Sequence, residues 1–455
     1  MNTESPARSG PRPAEESTNR RIFTTAFMLA VLTLAVKVVS MFKEMAVAAW
    51  FGTGDAMDAF LIAFLLPAYV INVVAGSLNA ALIPIQIEVR EKFGELAAHH
   101  LFRNVSALNS GILLLAMLLL AMAAPYLLPL LCSGFAPEKV ALTQRLFFLL
   151  LPCVLMMGLA TSWEALLNAC ERFRLAAIAP AAVSVGALGA IWFLESRWGI
   201  YALAAGTIGG MVGQLFLLGH SLKRRGYPIL PSWNGLNASV RRVMGQYVPM
   251  IAGSVLFCSM MLVDQALAGT LAPGSVSMLN YGNKLVALAV GIGTTALGTA
   301  VLPYFSKMTA AAHWRGIRHT LKIYTWLILL VTVPAMIAAI YLSRPMVELL
   351  FQRGNFTAED TVAVSRVQQM FLIQIPFHSL SLLYVRMISS LKGNHLVMWG
   401  AALGFCVNLL LDLVLIRPMG VAGLALSTSM VYLFMVFYTA IMLRRCLKKA
   451  EGAAI

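Results

Sequence analysis

The sequence contains few charged residues. Of its 455 residues, only 12% are Asp, Glu, Lys or Arg, whereas 60% are hydrophobic and the mean hydropathy is +0.80. Soluble globular domains usually contain about 25% charged residues. The composition therefore excludes a soluble protein and indicates a chain that crosses a membrane several times.

The sequence also lacks the motifs of common enzyme sites. No glycine-rich phosphate loop follows a predicted strand, and no Ser-His-Asp group or pair of carboxylates lies in a predicted external loop. The six cysteines lie mostly in apolar segments without a CxxC pair, and His378 has no second His or Cys at metal-ligand spacing. We therefore predict no catalytic residue, no metal site and no enzymatic activity.

Long loops are absent as well. The longest predicted loops, around 222–243 and 344–364, are too short to form a soluble domain, so the function is expected within the bilayer. Apolar windows of about 20 residues, enough to cross roughly 30 Å of hydrocarbon as a helix, recur along the whole chain. We predict an all-α protein with twelve membrane spans, near residues 22–42, 58–84, 105–130, 145–168, 175–195, 200–221, 244–270, 278–304, 320–343, 365–390, 396–416 and 420–442.

The basic residues predict the orientation of these spans. Lys and Arg gather in the N-terminal segment, in alternate loops and at the C-terminus, and cytoplasmic loops carry such an excess. We therefore predict a multi-pass protein of the bacterial cytoplasmic membrane with both termini in the cytoplasm. The net charge of +15 follows from this loop bias and from anionic lipid headgroups, and it does not require a nucleic-acid partner.

The two halves of the sequence resemble each other. "AAWFGTGDAMDAF" followed by "AALIPIQIEV" in the first half is similar to "AGTLAPGSVSMLNYGNKL" followed by "TAVLPYFSKM" in the second, although chance similarity of apolar sequence is an alternative. With six crossings each, the halves have the same orientation, so we expect two lobes related by a pseudo-twofold axis along the membrane normal, with a central cavity. The predicted divisions are a disordered cytoplasmic tail 1–21, an N-terminal lobe 22–222, a cytoplasmic linker 223–243, a C-terminal lobe 244–443 and a basic cytoplasmic tail 444–455.

Three lysines lie within apolar spans. "LAVKVVSMFKEM" places Lys37 and Lys43 near the external end of the first span, and Lys284 lies in the external half of the eighth. A charge at the centre of a membrane helix costs about 2.5 to 3.5 kcal/mol and normally faces a bundle interior or an aqueous cavity. Lys43 is close enough to the end of its span to extend to the membrane surface instead. We predict a functional role for Lys37 and Lys284, and Lys43 either borders the same cavity or lies at the membrane surface.

Other polar residues in or near the spans are candidates for the cavity or for ion coupling. Glu44 follows Lys37 by seven residues and shares its helix face, whereas Lys43 points about 120° away from Lys37. Structural ion pairs are the alternative role for each acidic residue. The candidates are Glu44, Asp58, Asp264, Asn283 and Arg386.

Four stretches of the sequence resemble one known family. "FKEMAVAAWFGTGDAMDAFLIAFLLP", "DQALAGTLAPGSVSMLNYGNKL", "TAVLPYFSKM" and "LFQRGNFTAEDT" are similar to segments of the MurJ/MviN-type lipid II flippases of the MOP (multidrug/oligosaccharidyl-lipid/polysaccharide) exporter superfamily. The likeness covers most of residues 22–443. It implies two six-helix lobes around a cationic cavity, in which basic residues bind the pyrophosphate of an undecaprenyl-linked precursor.

By position, the resemblance assigns this role to Lys37, Lys43 and Lys284. Each is a lysine where the family commonly has arginine, so a point charge replaces a bidentate fork. The arginine pair that the family has in its second span aligns with Ile71 and Asn72. The family also commonly has two further C-terminal spans that form a groove for the lipid tail, whereas twelve spans are predicted here.

The buried lysines and the resemblance lead to one principal functional hypothesis. The protein is expected to be a flippase that moves an undecaprenyl-pyrophosphate-linked saccharide, either lipid II or a related exopolysaccharide or O-antigen precursor, to the outer leaflet by alternating access. The membrane potential or a coupling ion, H⁺ or Na⁺, is expected to drive transport. We expect a monomer that contacts membrane lipids and works with cell-wall or polysaccharide synthesis enzymes. A MATE-like cation-coupled drug exporter is the alternative, and it would favour carboxylates in the cavity.

Overall fold

The computed structural model of the protein describes residues 13–170, 172–224, 226–227, 232–233, 235, 237–310, 314–391 and 393–452. These residues form fifteen α-helices and one π-helical turn, Asn72–Gly76, and no strand occurs among them. The helices are α1 (Pro13–Phe51), α2 (Asp55–Ile71), α3 (Ser77–Leu131), α4 (Pro137–Leu150), α5 (Cys153–Ala169), α6 (Phe173–Ile178), α7 (Ala181–Trp198), α8 (Ile200–Lys223), α9 (Ala238–Gly269), α10 (Ser275–Ala310), α11 (Trp314–Phe351), α12 (Ala358–Leu372), α13 (Gln374–Ser390), α14 (Asn394–Met419) and α15 (Val421–Gly452).

The helices account for the predicted spans, although several spans are not single straight helices. The fourth, fifth and tenth spans each consist of two consecutive helices, α4 with α5, α6 with α7, and α12 with α13. By length and composition, eight helical segments in the described ranges can cross a membrane, or nine when α4 and α5 are counted as one bent span. The longest segment, Asp55–Leu131, contains both the second and the third predicted spans, while α1 and α10 coincide with the first and the eighth.

A hairpin at Gly94 separates the second span from the third. Gly94 has a φ of 83° in the middle of α3, a conformation that glycine adopts without steric cost. Across this turn the Gln86 side chain donates to the Ala98 carbonyl oxygen at 3.0 Å. The two arms of α3 therefore lie side by side, and both can cross the bilayer.

Some predicted boundaries differ from the observed helices. The first helix begins at Pro13, so residues 13–21 of the predicted disordered tail are helical, while residues 1–12 lie outside the described part of the chain. The predicted C-terminal tail continues α15 as far as Gly452. The linker between the halves lies between α8 and α9 and is described only in part, because residue 225, residues 228–231 and two residues near 235 are not described.

The two lobes, α1–α8 and α9–α15, pack together at one end and separate at the other. At the predicted external end, a single hydrophobic core in the described chain contains residues of both lobes, including Phe60 and Tyr281. At the predicted cytoplasmic end, the described residues form two separate cores, one around Phe102 and the other around Phe305. In the described part of the chain, the lobes therefore share a core on the predicted external side.

The start of α9 packs with the N-terminal lobe, although it follows the linker. Val240, Val243 and Tyr247 belong to the same hydrophobic core as Phe102. The Tyr247 hydroxyl donates to the Val74 carbonyl oxygen at 3.1 Å. The structural boundary between the lobes at the cytoplasmic end thus lies within α9 and not at its first residue.

Candidate functional site

Two of the three predicted substrate lysines, Lys43 and Lys284, meet where α1 faces α10. Glu44 is buried on α1, and its Oε1 lies 2.7 Å from Lys43 Nζ and 3.1 Å from Lys284 Nζ of α10. The two helices belong to different lobes. A single carboxylate therefore orients two ammonium groups and joins the lobes at this level.

Lys37 lies about two turns further into the membrane than Glu44, along the same pair of helices. Lys37 and Glu44 are seven residues apart on α1, as Lys284 and Gly291 are on α10, so each pair shares a helix face. The Lys37 Nζ lies 3.8 Å from the position that a Cβ would take on Gly291. The antiparallel helices therefore place Glu44 opposite Lys284 and Lys37 opposite Gly291, and the absence of a side chain at Gly291 leaves room for the ammonium group.

This cluster carries an excess of positive charge. It contains three ammonium groups and one carboxylate, and among the described residues no acidic group lies within 4 Å of Lys37 Nζ. The Lys284 and Lys43 side chains are 32% and 24% exposed, so a ligand can reach both. A partly desolvated cluster of this sign is chemically suited to an anion with several oxygens, such as a diphosphate.

The remaining cavity candidates lie at different distances from this cluster. Asn283 is half-buried on α10 beside Lys284. Arg386 is also half-buried, and its Nε has no hydrogen-bond partner. However, its neighbour Met387 packs with Phe305, which is 21 residues along α10 from Lys284, or about 30 Å. Arg386 therefore does not belong to the lysine cluster.

Asp58 has a structural role at the external end of the interface. Its side chain is 1% exposed and accepts hydrogen bonds from the backbone N–H groups of Gly274 and Ser277, each at 2.8 Å. These groups belong to the first turn of α10, in the other lobe. Lys139 also donates to Asp58, at 2.8 Å, and to Asp55, at 2.7 Å. A carboxylate from one lobe thus caps a helix of the other, where the helix dipole favours negative charge.

The loop between α11 and α12 closes the same end of the molecule. The Asn355 N–H donates to the Ala49 carbonyl oxygen at 2.8 Å, and the Asn355 side chain donates to the Trp50 carbonyl oxygen. Thr53 donates to Asp360. We refer to Asp58, Gly274, Ser277 and loop 352–357 as the external latch.

Asp264 lies inside the C-terminal lobe, away from the lysine cluster. Its two carboxylate oxygens accept from Asn408 and Thr428, each at 3.2 Å. Asp412, one turn after Asn408, is completely buried beside Asp264, and neither of its carboxylate oxygens has a hydrogen-bond partner among the described residues. Two carboxyl groups so close together in an apolar interior require a shared proton or a bound cation.

Sequence reasoning did not single out two of these groups. Lys139 is 7% exposed, and its Nζ lies 3.9 Å from the centre of the Phe135 ring. The pairing of Asp264 with Asp412 was not predicted. The signal was weak, because the two carboxylates lie in different spans, although the i, i+4 spacing of Asn408 and Asp412 is visible in the sequence.

Comparisons with known proteins place the chain among transporters. A family model described as lipid II flippase MurJ matches residues 47–455. The probable lipid II flippase MurJ of Thermotoga maritima is 28% identical over 412 residues, which cover 90% of this chain and 82% of that protein. The probable lipid II flippase MurJ of Vibrio cholerae serotype O1 is 25% identical over 439 residues, which cover 91% and 82%.

Solved structures show the same fold. A lipid II flippase MurJ in an inward closed conformation aligns with a TM-score of 0.78 at 21% identity, covering 93% of this chain and 90% of that chain. An inward-facing MATE family transporter of the MOP superfamily aligns with a TM-score of 0.77 at 10% identity, covering 94% and 100%. These similarities confirm the predicted fold of two six-span lobes. Because the family model matches most of the sequence, the chain belongs to the lipid II flippase MurJ family.

Proposed function

We propose that this protein is a flippase that moves an undecaprenyl-pyrophosphate-linked saccharide, lipid II in the first instance, from the inner to the outer leaflet of the bacterial cytoplasmic membrane. The observation that carries the proposal is the pairing of Lys43 and Lys284 with the single carboxylate of Glu44, together with Lys37 two turns deeper on the same face of α1. Its relatives named as lipid II flippases support the same cargo.

The cluster suits a diphosphate better than a cationic drug. Lys37 has no acidic partner among the described residues, and Lys43 and Lys284 share the carboxylate of Glu44. At least one ammonium charge is therefore available to the ligand while both Glu44 pairs stay intact. A lysine binds phosphate as a point charge and does not impose the planar geometry of arginine. The excess positive charge would repel the cationic substrates of a MATE-like exporter.

Alternating access follows from the shape of the lobes. The common core and the external latch hold the lobes together at one end, while the separate cores allow a cargo to enter from the other. We infer that the closed end faces the outside and that both termini lie in the cytoplasm, because the basic loops accumulate at the opposite end. Outward release then requires the latch to open and the cytoplasmic ends to approach each other.

The energy for transport is proposed to come from the membrane potential and from an ion bound at the Asp264–Asp412 pair. A diphosphate diester carries about two negative charges, and each gains about 2.3 kcal/mol per 100 mV of inside-negative potential on moving outward. The buried carboxyl pair offers a site for H⁺ or Na⁺ in the lobe that moves. No step in this cycle needs a catalytic residue, and peptidoglycan synthesis enzymes would consume the cargo outside.

The lysine cluster is tested by replacing Lys37 and Lys284 with Gln together. Charge-assisted hydrogen bonds contribute about 1.5–3 kcal/mol each, so the double variant is expected to lose lipid II transport about a hundredfold or more. The measurement is translocation of labelled lipid II in proteoliposomes, with folded protein quantified by size-exclusion chromatography. Lys92→Gln, an exposed lysine at the predicted cytoplasmic end, is the control.

The conservative variants distinguish loss of charge from loss of packing. Lys37→Arg with Lys284→Arg keeps the charge and should retain transport. Undiminished translocation by the Gln double variant would contradict the proposal. Transport of cationic drugs by the unmodified protein, with no transport of lipid II, would favour the MATE-like alternative.

The carboxyl pair has a separate test. Asp264→Asn with Asp412→Asn should remove the dependence of transport on an H⁺ or Na⁺ gradient, because neither amide binds a proton or holds a cation as a carboxylate does. Lipid II binding at the lysine cluster should persist, which microscale thermophoresis can measure. Ion dependence that survives in this variant would rule out coupling at the pair.

A further inference from the structure

A second basic site lies at the external end of the C-terminal lobe. An open surface cavity of about 650 Å³ is lined there by residues of α10, α11, α12, α14 and α15, and its charged side chains are exposed. All the residues that line it belong to this lobe, so it is separate from the interface between the lobes and from the lysine cluster. Its polar lining consists of Arg344, Arg366 and Glu359.

The two arginines lie at the same depth. Arg344 is seven residues before the end of α11 and Arg366 is eight residues after the start of α12, which places each about 10–12 Å from the external helix ends. Both positions also coincide with the external limits of the ninth and tenth apolar spans, at 343 and 365. The guanidinium groups therefore lie near the level expected for the phosphates of the outer leaflet.

The charged side chains of the cavity have no ionic partner in the described part of the protein. Among the described residues, neither arginine forms an ion pair, and Glu359 forms none either. Glu359 and Arg366 are seven residues apart on one face of α12. Two guanidinium groups and one carboxylate leave one net positive charge, which a phosphodiester balances. A diphosphate, with about two negative charges, would be matched less well.

The rest of the lining is apolar. Met278, Val367, Met419 and Val421 contribute to it, and Val362 at its edge is 51% exposed. Arginine binds phosphate through a planar fork of N–H groups, and an apolar wall beside such a fork accommodates the glycerol and the first methylene groups of a lipid. We propose that this cavity binds the headgroup of an anionic phospholipid from the outer leaflet.

The site does not depend on which cargo the protein moves. It lies wholly in the C-terminal lobe and would remain formed while the lobes rock. A phospholipid bound there would anchor this lobe at a fixed depth, so that the N-terminal lobe moves against it.

Native mass spectrometry of the full chain in detergent tests the proposal, with phosphatidylglycerol and phosphatidylcholine as probes. The unmodified protein should retain phosphatidylglycerol preferentially. Each arginine near a membrane surface contributes about 1 kcal/mol to anionic lipid binding, so Arg344→Gln with Arg366→Gln should weaken that retention about 25-fold. Arg197→Gln, an exposed arginine at the predicted external end of α7 that does not line the cavity, should leave it unchanged.

A second variant keeps the test valid if the double variant folds poorly. Glu359→Gln removes the negative charge of the cavity and should strengthen phosphatidylglycerol retention about fivefold. Equal retention of both lipids by the unmodified protein would overturn the proposal, as would unchanged retention in both variants. A preference for undecaprenyl diphosphate that the arginine variants abolish, with phosphatidylglycerol unaffected, would instead assign the cavity to released cargo and also overturn it.

Discussion

The two ends of the interface between the lobes are held in different ways. At the predicted external end, a shared hydrophobic core is joined by directed polar contacts, above all those of Asp58 with the first turn of α10. At the predicted cytoplasmic end, each lobe has a core of its own. The closed end is thus fixed by contacts of defined geometry, and the open end has no comparable contacts between the cores in the described chain.

This difference indicates which contacts control the transport cycle. Hydrophobic burial is not directional and can be exchanged gradually as surfaces slide, whereas a buried carboxylate with three donors is either bound or costly to expose. We therefore expect the external latch to act as a two-state element. The energy of opening is expected to depend on the latch more than on any contact at the cytoplasmic end.

The largest expected effect comes from Asp58→Asn. Removal of this charge leaves Lys139 buried with one carboxylate partner that is 57% exposed, and it weakens the cap on α10. Breaking a buried ion pair from one side costs about 3–5 kcal/mol. We expect a lower melting temperature and faster hydrogen exchange of the Gly274 and Ser277 amides, measured by mass spectrometry.

Asp55→Asn is the matched control for this prediction. It removes the other partner of Lys139, but in the described structure Asp55 forms no hydrogen bond to α10, and its carboxylate is 57% exposed, so its loss should cost less than that of buried Asp58. Exchange at Gly274 and Ser277 should remain slow. If both variants destabilised the protein equally, the cap on α10 would not be the principal contact.

A smaller effect is expected from Gly354→Ala. Gly354 has a φ of 57°, and a Cβ there would overlap the Ala49 carbonyl oxygen of the other lobe. Gly420 has nearly the same φ, 56°, at the same end of the molecule, but nothing lies close to it. Alanine in this backbone conformation costs about 1 kcal/mol or more at either position. The difference between Gly354→Ala and Gly420→Ala therefore reports the clash with Ala49 of the other lobe.

The measurement for this pair is exchange of the Asn355 amide, which donates to Ala49. Gly354→Ala should accelerate that exchange by displacing loop 352–357, and Gly420→Ala should not. Equal exchange rates in the two variants would mean that the loop does not hold the lobes together.

The parts of the structure that could be predicted from sequence are those encoded locally. Hydropathy windows gave the approximate positions of all twelve spans, and the cost of a buried charge singled out Lys37 and Lys284. The break at Gly94 falls in the polar stretch between the second and third predicted spans, where hydropathy predicts a loop. The paired helices of three spans, in contrast, do not interrupt the apolar pattern, so hydropathy could not reveal them.

The contacts of the candidate site could not be predicted in the same way. Glu44 and Lys284 are 240 residues apart, and only the fold determines that they meet. Lys139 follows a proline turn that is typical of an exposed loop, yet Asp55, Asp58 and Phe135 together stabilise its charge in a buried position. Asp58 was expected in the cavity or in ion coupling, and the structure places it in the external latch instead.

The smallest effect is expected at the cytoplasmic end, from Arg242→Gln. Arg242 of α9 donates to Glu88 of α3 at 2.8 and 3.3 Å, and this pair at first resembles a cytoplasmic counterpart of the latch. However, the neighbouring Val240 and Val243 already belong to the core of the N-terminal lobe, so the pair lies within one moving body. Exposed pairs of this kind are also screened by salt.

Transport by Arg242→Gln should therefore match that of Arg241→Gln, the exposed arginine beside it, at both low and high ionic strength in the proteoliposome assay. A rate that changes only in Arg242→Gln, and only at low salt, would show that Glu88 and Arg242 separate during the cycle. The first turns of α9 would then move with the C-terminal lobe, and the hinge would lie before Ala238. An unchanged rate is the result required if the hinge lies after Ile251, the last residue of α9 that packs against the N-terminal core.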